Sequence, residues 1–248
     1  MKRSLILLTG FLFIFCALQA QRKLPKMFAE VSFGASVPIG QFAESSYNGP
    51  LDEDQPGMAK TGMAANVTAG IYLKENVGLL LTGGYSVNMQ SEEGYRDFLS
   101  KNPVSSLSRV YVNTGKWKMY KLMAGGFFVT PLVDDKLNLV TKLSAGICKT
   151  AIPSYDWAIT GMGGLAFSQG WVSKEKLPAM FCYQVSLGLQ YNVTRRVYVL
   201  FDVISFNAAA KKDYTAYTMT PVPGPETTVT QKYKFGSVNA LLGLGVSF

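Results

Sequence analysis

The last residues of the chain alternate between apolar side chains and small or polar ones. The apolar parity comprises Val238, Ala240, Leu242, Leu244, Val246 and Phe248. The other parity is made up mainly of Gly, Ser and Asn. A period of two residues is typical of a β-strand with one apolar face. The pattern therefore predicts a strand over residues 238–248.

The same period predicts seven further strands, at about 28–39, 63–73, 77–90, 116–132, 137–149, 181–192 and 197–208. Short turns at 74–76, 134–136 and 194–196 alternate with long polar stretches at 41–62, 91–115, 150–176 and 209–232. This rhythm predicts an all-β fold, a transmembrane eight-stranded antiparallel up-and-down barrel with short periplasmic turns and four long extracellular loops.

The alternation alone allows two ways of closing the barrel. A soluble carrier of the lipocalin kind would turn the apolar parity inward around a ligand, whereas a membrane barrel turns it toward lipid. The terminal Phe and the alternation of short and long connections favour the membrane barrel. Aromatic residues near both ends of the apolar parity fit it as well, because interfacial girdles have this composition. They are Phe128, Tyr191 and Phe248 at one end and Tyr85, Tyr120 and Tyr183 at the other.

The N-terminus predicts export. A positive start precedes an apolar run over residues 5–18, and the small residue Ala20 suits cleavage after it. We interpret 1–20 as a signal peptide and 21–248 as one barrel domain. The run is short for a signal anchor, which needs about 20 apolar residues. Lipid attachment at Cys16 is disfavoured because a Phe precedes it.

Charged residues with inward parity are few on the predicted strands. They are Glu30, Lys121, Lys142 and Asp202. Buried charges need partners, and we predict that Lys142 pairs with Asp202, with Glu30 or with both. A polar plug in the lumen is favoured over a proton or ion pathway, because eight strands leave an interior just wide enough for side chains.

Two cysteines, Cys148 and Cys182, have inward parity on neighbouring predicted strands. An exported protein meets an oxidising environment, which permits a cross-strand disulfide between them. Separate reduced thiols are the alternative, because the long stretch between the two strands does not fix their register.

Several kinds of chemistry are disfavoured by what the chain contains. It has no histidine, which removes Ser-His catalysis and the usual imidazole metal sites. Asp52, Glu53 and Asp54 could hold a divalent cation, but a solvated acidic loop is the simpler interpretation. The net charge of +8 is scattered rather than concentrated, which argues against nucleic acid and suits phosphate-rich lipid A. We expect no enzyme, cofactor or metal site.

The third long stretch carries four aromatic residues, Tyr155, Trp157, Phe167 and Trp171. Loops on a rigid scaffold are common recognition sites, and exposed aromatic rings are good contact anchors. The alternative is that these rings pack over the barrel mouth and seal it.

The mature chain resembles the small outer-membrane β-barrels of Gram-negative bacteria, often labelled porin-family or OmpA/OmpX-like. The resemblance rests on the signal peptide, the opening VSFGASVPIGQF (31–42), the segment KENVGLLLTGGY (74–85) and the closing GLGVSF. It implies an outer-membrane location and contact with outer-membrane lipid, including lipopolysaccharide. It also implies recognition by the barrel assembly machinery, with Val246 and Phe248 as part of the signal.

The expected function is that of a non-enzymatic scaffold. Its extracellular loops would contact an envelope component or an extracellular protein, for example as an accessory to a secretion or surface system. Transport through a narrow pore is the alternative.

Overall fold

The computed structural model describes residues 26–47, 52–101, 109–133, 136–160, 166–172, 174–216 and 227–248. The predicted signal peptide lies outside these ranges. In chain order the strands are β1 (Met27–Ile39), β2 (Asp54–Gln55), β3 (Gly62–Lys74), β4 (Val77–Met89), β5 (Arg109–Thr114), β6 (Lys116–Val133), β7 (Leu137–Lys149), β8 (Ala151–Ile152), β9 (Tyr155–Thr160), β10 (Ala166–Val172), β11 (Glu175–Lys176), β12 (Met180–Asn192), β13 (Val197–Ala216) and β14 (Thr227–Ser247). One helix, α1 (Glu93–Ser100), and one 3-10 turn, Gly40–Phe42, complete the described elements.

Eight of the described strands form one closed ring, in the order β1-β3-β4-β6-β7-β12-β13-β14. The ring closes where β14 pairs with β1, from Phe28 opposite Ser247 to Ile39 opposite Gly236. Each neighbouring pair in the ring is antiparallel. A closed ring leaves no strand edge unpaired, which is what lipid demands of a β-structure that crosses it.

The barrel wall is apolar outside and largely polar inside at mid-height. On β12, Leu187 is 53% exposed while its neighbour Ser186 is 1% exposed; on β14, Leu244 is 64% exposed while Asn239 is 2% exposed. The prediction that the apolar parity faces outward is confirmed. The alternative of a soluble carrier is wrong, because it needs the apolar parity around the lumen.

The connections differ at the two ends of the barrel. Residues 75–76 and 193–196 form short turns at one end, here called the short-turn end; of the third predicted turn, residues 134–135 lie outside the described ranges. At the opposite, long-loop end, the prediction of a loop over 209–232 is wrong in part. Strand β13 continues to residue 216 and β14 starts at residue 227, because their antiparallel pairing extends to Ala216 opposite Thr227.

The other long connections fold over the long-loop end. Strands β10, β9 and β5 form an antiparallel sheet, called here the loop sheet, and β11 pairs with β8. Strand β2 lies parallel to β14, with Lys232 opposite Asp54. Among the described residues, no helix is long and apolar enough to span a membrane.

Candidate functional site

An ion-paired layer crosses the middle of the lumen. Lys142 on β7 donates to Glu30 Oε1 and, at 2.9 Å, to Asp202 Oδ2. The remaining carboxylate oxygens also have donors: Ser186 Oγ lies 3.1 Å from Asp202 Oδ1, and Tyr198 OH lies 3.3 Å from Glu30 Oε2. The three charged side chains are therefore buried with complementary charges and hydrogen bonds, as buried charges require.

Lys121, the fourth inward charge, lies apart from that layer. Its Nζ donates to Gln184 Oε1 at 3.3 Å and sits 5.0 Å from the centre of the Phe206 ring. Glycines opposite the charged side chains make room for them. A Cβ at Gly84 would collide with Lys121, and one at Gly188 would collide with Asp202.

Two apolar layers enclose the ion-paired layer. Along β13 the inward residues run from Tyr198 and Leu200 through Asp202 to Ile204 and Phe206. The lower layer, toward the short-turn end, comprises Phe28, Leu80, Phe127, Val129, Val140, Tyr198 and Leu200. The upper layer includes Trp117, Met119, Met123, Met180, Phe206 and Phe235.

Little space remains between these layers. The cavity beside Glu30, Tyr72 and Lys142 has a volume of about 10 Å³, at the lower limit for holding one water molecule. Phe28 and Phe127 stack edge to face at 5.1 Å across the lower lumen. In this geometry the described lumen holds side chains rather than a water-filled channel.

Cys148 and Cys182 both lie in the upper apolar layer. Met180 stands opposite Cys148, so the two cysteines are diagonal neighbours on adjacent strands. Both are buried free thiols in the structure. A disulfide between them stays a prediction for the oxidised protein.

The mouth of the barrel is closed by an aromatic cluster. Phe42, Trp117 and Phe235 lie with ring centres 5.2–5.8 Å apart. Trp117 Nε1 donates to the carbonyl of Gly57 at 2.7 Å, which ties the first long connection to β6. The next residue, Met58, is buried and has a left-handed φ of 48°, a conformation that is uncommon outside glycine.

The loop sheet places three of the four predicted aromatic residues on two different faces. Tyr155 stacks on Tyr95 with ring centres 4.2 Å apart, and Trp157 packs in the same apolar cluster beneath the sheet. Trp171 is on the other face and is 80% exposed. The side chain of Phe167 lies outside the described part of the structure. Burial in this cluster raises the pKa of Tyr95.

The exposed face of the loop sheet also carries polar groups. Asn113 Nδ2 donates to Asp156 Oδ1 at 3.1 Å, and Trp171 stands opposite Asp156 on the next strand. Tyr111, 54% exposed, stands opposite the small Ala158. Tyr111 was not among the predicted residues, since only the pairing of β5 with β9 brings it onto this face.

The acidic run near residue 53 contacts lysines. Glu53 Oε2 lies 2.8 Å from Lys232 Nζ, and Asp54 Oδ1 lies 3.7 Å from Lys234 Nζ. The hydrogen bond from Lys232 lowers the pKa of Glu53. Among the described residues, no cluster of three or more acidic, cysteine or histidine side chains could hold a metal ion.

The two residues of the predicted assembly signal face outward at the short-turn end. Val246 is 47% exposed and Phe248 is 60% exposed on the lipid-facing parity of β14. Backbone bonds between Met27 and Phe248 fix the chain end to the first strand. Their role in assembly stays a prediction.

The sequence did not reveal the residues that fill the two apolar layers. Trp117 points inward between the outward Lys116 and Lys118, and Phe235 points inward next to the outward Lys234. The available signal was a reversal of polarity, with lysines on the outward parity in Lys116–Tyr120 (KWKMY). That reversal marks where a strand leaves lipid.

Solved structures of outer-membrane barrels are similar to this chain over most of its length. OprG from Pseudomonas aeruginosa is 13% identical, with a TM-score of 0.53, and the match covers 92% of this chain and 97% of that one. Neisserial surface protein A is 12% identical, with a TM-score of 0.42 and coverage of 90% and 97%. A major outer membrane protein from Thermus thermophilus is 9% identical, with a TM-score of 0.44 and coverage of 90% and 99%. No protein-family model and no curated protein matches the chain.

The closed ring, its apolar outside and the likeness to OprG define the class of fold, an eight-stranded β-barrel of the outer-membrane type. The resemblance inferred from the sequence is thereby confirmed for the fold. The predicted outer-membrane location agrees with this class.

Proposed function

We propose that this protein is a non-enzymatic outer-membrane scaffold with a sealed lumen, whose loop sheet contacts an envelope component or an extracellular protein. One observation carries the proposal: two apolar layers and an ion-paired layer fill the described lumen. A barrel that is filled in this way has its accessible chemistry on its loops and outer surface.

The orientation follows from the lengths of the connections. Barrels of this type place short turns in the periplasm and long loops outside the cell. The short-turn end, with Phe248, then faces the periplasm, where the barrel assembly machinery recognises the closing strand. The loop sheet faces the exterior.

The loop sheet is suited to binding a partner because one of its faces is already packed against the rest of the protein. Val112 and Trp157 bury the lower face against Met58 and Tyr95. The upper face keeps Trp171 exposed. A partner would therefore meet a surface held rigid from below, which lowers the entropic cost of binding.

Electrical recording tests the sealed lumen. We expect the purified protein in a planar bilayer to insert without stepwise conductance, because side chains occupy the described lumen. Regular open steps in the wild-type protein would contradict the proposal and favour the narrow pore.

Capture of partners from intact envelopes tests whether the loop sheet binds one. Trp171→Ser combined with Tyr111→Ser should lose a cross-linked partner that the wild-type protein retains. The matched control is Tyr214→Ser, which removes a partly exposed tyrosine of β13 outside the loop sheet. Equal capture by all three proteins would contradict a role for the loop sheet.

A further inference from the structure

The upper face of the loop sheet carries two exposed aromatic rings on its outer strands. Trp171 on β10 is 80% exposed and Tyr111 on β5 is 54% exposed. Strand β9 lies between them, where Trp171 stands opposite Asp156 and Tyr111 stands opposite Ala158. Two strand spacings of about 4.8 Å and an offset of about 6.7 Å along β9 place the backbones that carry the two rings about 12 Å apart.

The surface between the two rings is shallow and polar. The exposed side chains of Asn113 and Asp156 are joined by a hydrogen bond of 3.1 Å from Nδ2 to Oδ1. Ala158 lies beside them and adds only a methyl group to the face. A carboxylate accepts further hydrogen bonds, and an amide both donates and accepts, so hydroxyl groups can bind here. These three residues and the two rings form what we call the loop-sheet cleft.

The charge of the loop-sheet cleft disfavours an anionic ligand. Asp156 is its one charged residue, and the exposed Arg109 of the same face stands further along, opposite Thr160. A phosphate or sulfate in the cleft would therefore meet the carboxylate of Asp156, which repels it. The cleft is suited instead to a neutral ligand that carries many hydroxyl groups.

The loop sheet is small for a protein interface. It is three strands wide, and its longest strand, β10, has 7 residues. At about 3.3 Å per residue and about 4.8 Å per strand, one face covers about 300 Å². A stable protein interface buries about 800 Å² on each partner. A compact ligand that contacts both rings and the polar groups between them fits this area better than a folded protein.

We propose that the loop-sheet cleft binds a neutral glycan from outside the cell. Its sugar rings stack on Trp171 and Tyr111, and its hydroxyl groups bond to Asp156 and Asn113. The face of an aromatic ring is electrically negative, which attracts the C–H groups on the face of a sugar ring. The inference rests on the proposed function, because it takes the loop sheet as the contact surface and the long-loop end as the exterior.

The position of the cleft favours an external glycan over the sugars of the surrounding lipid. The lower face of the loop sheet packs on Met58 and Tyr95, in the connections that cover the long-loop end. The cleft is on the opposite face and so points away from them. Sugars of lipids in the same membrane lie beside the barrel wall instead.

Binding to immobilised oligosaccharides tests the inference. The full-length protein in phosphatidylcholine nanodiscs is applied to neutral oligosaccharides of glucose, galactose, mannose and N-acetylglucosamine, to a sulfated oligosaccharide, and to the polysaccharide of lipopolysaccharide. We expect a neutral oligosaccharide to bind more tightly than the last two probes. Trp171→Ala and Tyr111→Ala should each weaken that binding about tenfold, as expected for the loss of an aromatic anchor. Trp171→Phe should retain it, because a ring is kept.

Two further variants make the result decisive. Ala158→Gln fills the space between the rings and should also weaken binding, although both rings remain. The matched control, Tyr214→Ala, removes a partly exposed tyrosine outside the loop sheet and should bind like the wild type. Circular dichroism of each variant verifies the barrel.

Three results would overturn the glycan inference: no binding of any neutral oligosaccharide, equal binding by Trp171→Ala and the wild type, or tighter binding of the sulfated probe or of the lipopolysaccharide. Its failure can be told apart from failure of the proposed function. If no neutral oligosaccharide binds but capture from envelopes still depends on Trp171 and Tyr111, only the glycan inference is wrong. If that capture is also independent of both rings, the contact role of the loop sheet is wrong as well.

Discussion

Side chains alternate between the outer surface and the lumen both at mid-height and at the long-loop end, but the polarity of the two sides is reversed between these regions. On β12 at mid-height, Leu187 points outward and Ser186 inward; on β6 at the long-loop end, Lys118 points outward and Trp117 inward. The difference follows from the surroundings. At mid-height, lipid excludes charged side chains from the outer surface of the barrel. At the long-loop end the outer surface of β6 meets water, so its apolar side chains are buried in the lumen instead.

The polarity of alternate residues therefore does not by itself tell which of them face the lumen along the whole length of a strand. On β6, the apolar parity faces lipid only as far as the Tyr85–Tyr120 pair. Beyond it, the apolar residues of β6 point into the lumen, and the outward lysines mark the end of its lipid-facing surface.

The largest effect should come from breaking the ion-paired layer. Lys142→Met leaves Glu30 and Asp202 buried without their cation, and we expect unfolding in urea to be easier by about 3–5 kcal/mol. The triple change that also replaces Glu30→Gln and Asp202→Asn should recover much of that loss. A single variant as stable as the wild type would show that the buried charges need no mutual compensation.

The loss of stability caused by a charge on the lipid-facing side of β12 should depend on the depth of that charge in the bilayer. Leu187→Arg should cost about 2–4 kcal/mol, as at mid-bilayer, whereas Phe181→Arg near the long-loop end should cost about 0–1 kcal/mol. Folding titrations in lipid vesicles compare the two variants directly. Equal costs would remove the distinction between the two regions.

Close packing in the lumen should also be measurable. Gly188→Ala forces a methyl group against Asp202 and should cost about 1–3 kcal/mol through overpacking. Gly83→Ala is the control, because its outward-facing Cβ would meet open space. If both alanines are tolerated equally in urea unfolding, the lumen is looser than described.

A smaller effect is expected at the mouth. Trp117→Phe keeps the aromatic ring but removes the hydrogen bond to Gly57, worth about 0.5–1.5 kcal/mol. Hydrogen exchange should then speed up around Met58 while the mid-barrel strands stay protected. Unchanged exchange there would mean that the first long connection is held by other contacts.

The smallest effect concerns tyrosines under the loop sheet. Burial raises the pKa of Tyr47 and Tyr95, so the folded state keeps their protons at a pH where the unfolded chain releases them. Their contribution is intact below the ordinary tyrosine value of about 10 and is lost as the pH rises above it. As the pH rises above about 10, the free energy of unfolding should fall less in the Tyr47→Phe, Tyr95→Phe double variant than in the wild type.

The strands of the barrel middle could be predicted from the sequence because lipid imposes one rule on every outward residue. Strand β7 was predicted at its observed limits, 137–149. The parity of Lys142 and Asp202 followed from the same rule. These signals are local, since each depends only on neighbours two residues away.

The long-loop end was less predictable because its structure depends on pairing between distant residues. The polar segment 209–216 looked like a loop, yet it pairs with β14 through Ala216 opposite Thr227. Tyr155 and Trp171 belong to the same predicted loop, and only the loop sheet places them on opposite faces. Composition alone does not encode such pairings.

We infer that polarity inverts along β6 at the long-loop end, beside a lumen that is filled with side chains. Paramagnetic relaxation in nanodiscs tests it directly, with one spin label on lipid acyl chains and a soluble gadolinium reagent in water. We expect the acyl label to broaden Leu187 and not Lys118, and neither reagent to reach Asp202. Broadening of Asp202 by the soluble reagent, or of Lys118 as strongly as Leu187 by the acyl label, would contradict the claim.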